Sequence, residues 1–269
     1  MTDDTSLNMQ PPEMEPGPGD GGPTVEPMSI SDQFVGVLSE PGAMFENIRQ
    51  AGPRTSDWLV PLGVMILVLV VVRLVQMNNP DFSDQLLQIQ RQTMEERFAQ
   101  EIEAGKMTRE QADKAMETAE KLMNMGSIFS IIGIIIFVPI VFFIMALIYW
   151  LLLKFGFKSD VSYKMVLSAY GPVNYIGAIE QILGLLMMFI TGSALATFSL
   201  GVLVTPDLQS TTWKLLSSIN PITIWSLVVL AIGFTRVAKI SSTKAYGLVF
   251  ALWLIWTVIK VFVGFGFGT

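Results

Sequence analysis

The chain has no cysteine and no histidine among its 269 residues. Without cysteine there is no disulfide framework, thiol nucleophile or thiolate metal site, and without histidine there is no imidazole base. Zinc sites and haem or iron–sulfur centres lose their usual ligands, so no cofactor and no enzymatic activity are expected. Charge is scarce as well. Only 15% of residues are charged and 51% are hydrophobic, whereas soluble domains carry about 25% charged residues. This is a membrane composition, and the first partner to expect is the lipid bilayer. The net charge of −6 is unevenly spread: residues 1–30 hold six acids and no Lys or Arg, and 78–125 hold ten acids against six bases. No broad basic face forms, so no nucleic acid is expected.

What is present divides into three parts. Residues 1–29 are acidic and rich in Pro and Gly, with neither a basic n-region nor an apolar h-region. They read as a disordered tail rather than a cleavable leader. Residues 30–57 carry two apolar faces on either side of Pro41, one of Phe34, Val37 and Leu38 and one of Met44, Phe45 and Ile48. Two short amphipathic helices follow from that spacing, either lying on the membrane or packed on the ends of the spans. Residues 58–267 hold five apolar segments: 58–77, 127–153, a stretch within 171–204, 221–238 and 245–267. A helix needs ~20 residues to cross ~30 Å of hydrocarbon, and in lipid only a helix satisfies the backbone of a single segment. The expected fold is therefore all-α and polytopic, with five transmembrane helices.

The third segment admits more than one form. At ~1.5 Å per residue it would make a helix of ~51 Å, which would tilt, extend into the interface, or break near Thr191-Gly192-Ser193 into a span and a re-entrant piece. Basic residues in short loops set the direction of insertion. One turn carries Lys154, Lys158 and Lys164, another Arg236, Lys239 and Lys244, and the N-terminal flank Arg49 and Arg54. Five spans place all eight on one side, with the N-terminus cytoplasmic and the C-terminus outside. Six spans would move the 236–244 turn outside.

Between the first two spans, 80–124 reads as a helical hairpin outside the membrane. Leu87, Met94, Phe98 and Ile102 line one arm, Gly105 breaks it, and Thr108-Arg109-Glu110-Gln111 matches a capping box. Ala112, Ala115, Met116, Ala119 and Met123 line the second arm. The two faces either close on each other or offer a partner groove.

Three ionisable residues fall inside spans, where charge is expensive and often marks a pathway. Arg73 lies ~22 Å into the first span, Lys260 ~24 Å into the fifth, and Glu180 ~14 Å into a third span beginning near Gly171. Arg73 and Lys260 are long enough to snorkel to the outer interface. Glu180, near the middle, has Asn174, Tyr175 and Gln181 for neighbours and serves either an interhelix contact or a polar path. The spacings Gly192-xxx-Ala196 and Gly264-xxx-Gly268 permit close helix approach.

Several stretches in order resemble the Yip-domain proteins, the Ypt/Rab-interacting membrane family, in its bacterial branch. The leader FVGVLSEPGAMFENIRQ matches through Leu38, Pro41 and Phe45, and the entry to the third span through Tyr163, Lys164, Ala169 and Tyr170. The stretch from Asn220 to Trp256 matches through Asn220, Pro221, Ile224, Trp225, Gly233, Lys244 and Ala245. The resemblance spans roughly 30–267. It implies a five-span domain with a cytoplasmic N-terminus and, by analogy with eukaryotic members of the Golgi and endoplasmic reticulum, a GTPase partner. The external hairpin and short loops look bacterial, which implies the cytoplasmic (inner) membrane; a eukaryotic source would imply the Golgi or endoplasmic reticulum membrane instead. Three functions compete: a scaffold or adaptor that organises the bilayer, recruits other membrane proteins or self-associates; a transporter or channel component built around Glu180; and a lipid-acting enzyme, for which no clustered acids are at hand.

Overall fold

The structure, a computed structural model, describes residues 25–205 and 210–263. The acidic tail to residue 24, the 264–268 spacing, the end of the fifth segment and the Met123 side chain lie outside the described residues. Among those described there are ten α-helices and no strand.

Two short helices come first, α1 (Ile30–Ser39) and α2 (Pro41–Ala51). The Ser29 side chain caps α1 by accepting from the Asp32 amide. Pro41 starts α2, where its missing N–H is no loss. Of the two placements open to them, packing on the bundle is the one observed. Val37, Met44, Phe45 and Ile48 are all buried in the main core. Phe45 lies so close to Gly233 that a Cβ there would come within 2.9 Å of its ring. Phe34, expected on the buried face, is 40% exposed and meets Tyr175 edge-on, with centroids 5.2 Å apart.

The long helices are α3 (Ser56–Asn78), α4 (Pro80–Glu103) and α5 (Arg109–Leu151), the last ending in a π-helical turn, Leu152–Gly156. The capping box is formed: the Gln111 amide donates to Thr108 Oγ1 at 3.2 Å and the Thr108 amide to Gln111 Oε1 at 2.9 Å. The second arm of the hairpin does not stop before the membrane. With 43 residues, α5 runs from the hairpin through the second span as one helix of ~65 Å. Met94, Phe98 and Ile102 are half-buried and Ala112 is buried. No large apolar side chain of the described hairpin residues is exposed, so its two faces close on each other. At its base Phe82 is buried against Met188 and Ala194.

The third segment is α6 (Tyr163–Tyr170) and α7 (Val173–Thr191), joined at Gly171-Pro172. The break follows from chemistry and crowding together, since Pro172 has no N–H to continue the ladder. A Cβ on residue 171 would sit 2.3 Å from Trp58 Cα and 2.5 Å from the Asp57 carbonyl oxygen. At the far end Gly192 takes the left-handed conformation (φ 68°, ψ 12°) and stops the helix. The chain then returns through a 3₁₀ turn, Leu200–Leu203, and the Leu200 amide donates to the Ile219 carbonyl at 3.0 Å. The long segment is thus a span followed by a short return that does not cross. Gly192 and Ala196 lie beyond the helix, so their spacing serves no helix contact.

Short helix α8 (Thr211–Ser218) meets α9 (Pro221–Val237) at a bend of 49°. Asn220 accounts for the bend: it precedes a proline, is extended (φ −117°, ψ 127°) and caps α9 through its own side chain. By itself α9 has 17 residues, or ~26 Å, short of the hydrocarbon thickness. The final helix is α10 (Ser242–Val263). Ser56–Asn78, Phe129–Gly156, Tyr163–Thr191 and Ser242–Val261 are long and apolar enough to span, and α8 with α9 makes a fifth if the bent pair is one span.

The helices alternate between two ends. Trp58 touches the Gly171 junction and Gln76 Nε2 donates to Met188 Sδ at 3.4 Å, so α3 and α7 run in parallel. One end holds α1, α2 and the two basic turns. The other holds the hairpin and the 192–220 return.

Candidate functional site

Glu180 projects from α7 toward the start of α9. Its Oε1 accepts from Asn220 Nδ2 at 3.0 Å, and Thr223 Oγ1 donates to both carboxylate oxygens at 3.0 Å. The Lys260 ammonium on α10 acts on the same carboxylate through space. The anion also faces the positive end of the α9 dipole, where negative charge is favoured. Chemically this ties α7 to α9: an acceptor-only carboxylate and two neutral donors, with one distant cation on α10.

The other intramembrane candidates divide. Lys260 belongs to the Glu180 group, whereas Arg73 does not: its Nε donates to Ser130 Oγ at 2.9 Å and ties α3 to α5. Asn174 turns to the helix junction, where Nδ2 donates to the Gly171 carbonyl at 2.9 Å. Gln181 is half-buried and is not among Glu180's hydrogen-bond partners. The apolar helical stretch begins at Tyr163, one short helix before Gly171, but Gly171 lies level with Trp58 and Met188 with Gln76. Glu180, nine residues beyond Gly171 and eight before Met188, therefore lies level with the middle of α3, as expected. Among the described residues no three His, Cys, Asp or Glu gather as a metal group would.

The basic residues converge at the opposite end. Lys154, Lys158, Lys164, Arg236, Lys239 and Lys244 are all exposed. Their two turns are joined directly, Ser159 Oγ donating to the Ala238 carbonyl at 2.7 Å. Lys154 stands over the Trp150 ring at 5.1 Å and Lys244 over Phe157 at 5.9 Å. Arg236 lies beside Gly42 on α2. There Glu46, hydrogen-bonded by Arg49 and then Gln50, has its carboxyl held down to about 2.

The same end contains a group absent from the sequence reading. Asp57, in the first turn of α3, is fully buried. Its oxygens accept from Gln33 Nε2 at 2.7 Å, Arg54 Nε at 3.1 Å and the Arg54 amide at 2.8 Å. Arg54 Nη2 also donates to the Met28 carbonyl at 2.8 Å. The visible signal was an acid in the first turn of a span, which ordinarily only complements the helix dipole. Its burial depends on Gln33, 24 residues away.

Helices of this length and polarity, with intramembrane polar groups tied to one another across helix contacts, make the chain a multi-pass α-helical membrane protein. More particularly, the chain belongs to the Yip1 domain family, whose family model matches residues 35–264. It is similar to membrane protein YknW of Bacillus subtilis (strain 168), at 27% identity over 233 residues that make up 86% of this chain and 89% of that protein. No solved structure matches the chain significantly.

Proposed function

We propose that the protein is a non-enzymatic scaffold or adaptor of the bacterial cytoplasmic membrane, with its arm and basic turns facing the cytoplasm and its hairpin outside. The observation that carries this reading is the state of Glu180. A carboxylate that transports ions or protons must exchange partners, whereas this one is engaged by Asn220 and Thr223 from the helix it anchors. The bacterial relative and the eight one-sided cations support the placement. A polar, self-closed hairpin and an N-terminal arm leave two water-exposed elements through which membrane proteins, or a second copy, would be held.

The test combines crosslinking in intact cells with flux in liposomes. Under the scaffold reading, the exposed hairpin lysines Lys106 and Lys114 crosslink to a recurrent protein partner. Liposomes holding the protein then leak protons and monovalent ions no faster than empty ones. Flux abolished by Glu180→Gln, with no recurrent crosslink, would replace the scaffold with a transporter.

A further inference from the structure

Among the described residues two non-glycine positions have positive φ, and both are lysines in the basic turns: Lys158 (φ 56°) and Lys239 (φ 52°). The left-handed region is uncomfortable for a side chain with a Cβ, and Gly, Asn or Asp are the residues that ordinarily occupy it. These two lysines flank a hydrogen bond that joins the turns, from Ser159 Oγ to the Ala238 carbonyl at 2.7 Å. Each is the immediate sequence neighbour of one partner in that bond, so the two strained positions lie on adjoining turns at one end of the bundle. Orienting the chain in the bilayer requires only that the loops carry positive charge. It does not require that lysine stand where asparagine would be more comfortable, twice, across a shared hydrogen bond.

The surroundings leave these two ammonium groups available. Lys154 and Lys244 are drawn over the rings of Trp150 and Phe157. Lys158 and Lys239 are exposed and make no side-chain hydrogen bond, ion pair or ring contact among the described residues. The acid within the two turns is Asp160, also exposed, against six cations. From these observations we infer that Lys158 and Lys239 form a paired-lysine phosphate site at the membrane surface, which takes the phosphate of an anionic lipid headgroup or free phosphate. The left-handed backbone fixes where each side chain leaves its turn, and the bond between the turns fixes the pair. Two ammonium groups on adjoining turns suit a phosphate, because lysine binds it as a point charge without needing a planar fork. The site does not depend on the scaffold reading.

The test uses the full chain in detergent, with native mass spectrometry counting bound molecules of dihexanoyl phosphatidylglycerol, dihexanoyl phosphatidylcholine and inorganic phosphate. Each cation near an anionic lipid surface is worth about fivefold in binding, so the pair should add about 25-fold. The informative variant is Lys158→Asn with Lys239→Asn, since asparagine accepts the left-handed backbone and keeps the fold. The control, Lys154→Gln with Lys164→Gln, removes equal charge from the same end. Phosphatidylglycerol is expected to bind better than phosphatidylcholine, to fall about 25-fold in the Asn pair, and to change less than threefold in the control. Displacement by millimolar inorganic phosphate assigns the site to free phosphate, and resistance to it assigns the site to the lipid; either supports the pair. Equal losses in both double variants, or equal binding of the two lipids, would reduce the site to a diffuse charge field and overturn it. Melting temperatures of both variants separate lost binding from lost fold.

Discussion

Replacing Asp57 by alanine should release the N-terminal arm from the bundle. The carboxylate is fully buried and holds two partners, Gln33 on α1 and Arg54 before α3, through the three hydrogen bonds of 2.7, 2.8 and 3.1 Å. Removing one partner of a buried pair costs about 3–5 kcal/mol. Arg54 is one-third exposed and can turn to water, which reduces that figure. Gln33 is 1% exposed and cannot, so its stranded amide retains a penalty of about 1–3 kcal/mol. A net loss of about 3 kcal/mol is the reasonable expectation, on the order of a hundredfold in local opening. Hydrogen exchange on the detergent-solubilised protein reads it directly. Amides of α1 and α2 should exchange about a hundredfold faster while those of α9 stay near their original rate, because opening is local when a single latch is lost. Asp57→Asn keeps one acceptor oxygen and should show roughly half the effect in free energy. If arm protection is unchanged in Asp57→Ala, or falls equally along the whole chain, Asp57 is not the latch.

Three further outcomes follow from the packing. Gly171→Ala would drive a methyl into the backbone of Asp57 and Trp58, which cannot rotate aside; a loss of about 3 kcal/mol or more is expected as a lowered melting temperature. Phe45→Ala empties the fully buried site against Gly233 and should cost about 3 kcal/mol, with α2 the first element to become protease-sensitive. For Glu46 the sign follows from its depressed pKa, about 2 against 4.5, caused first by the Arg49 hydrogen bond. Its contribution is full above pH 4.5 and lost as pH falls toward 2. The effect is small because the pair is about one-third exposed and solvent screens it. Glu46→Gln should flatten that part of the stability–pH curve, and an unchanged slope would show that Glu46 does not cause it.

Legibility varied with the range of the cause. The capping box at Thr108 and Gln111 was readable because both partners lie within one turn. The stop at Gly192 was one of three forms the pattern allowed, since a glycine after a long apolar run need not end a helix. The separate helix Tyr163–Tyr170 before the third span was not legible, because it carries Lys164 and Ser168 and looks like loop. Buried Ser168, beside the Asp57 latch, shows that this turn is inside the bundle. The fate of α1 and α2 was undecidable from pattern, since an amphipathic face suits a lipid surface and a protein groove equally well. The groove exists because Gly233, in a helix far along the chain, leaves room for Phe45. Glu180 stood out in the sequence as an acid in an apolar run, yet none of its suspected neighbours became its partner. Asn220 and Thr223 come from a helix that the 192–220 return brings back to it.

The amino-acid sequence by itself determined the solvent of this protein and the class of its fold. Runs of some twenty apolar residues must enter lipid, and in lipid they must be helices. The one-sided lysines and arginines, the hairpin and the family were legible from the same local facts. Only the tertiary structure decided what the polar groups do. It turned Glu180 toward Asn220 and Thr223, buried Asp57 on Gln33, and joined the two basic turns through Ser159 and Ala238. Each of these depends on bringing together residues separated by 24 to 79 positions, a distance over which helical periodicity carries no information.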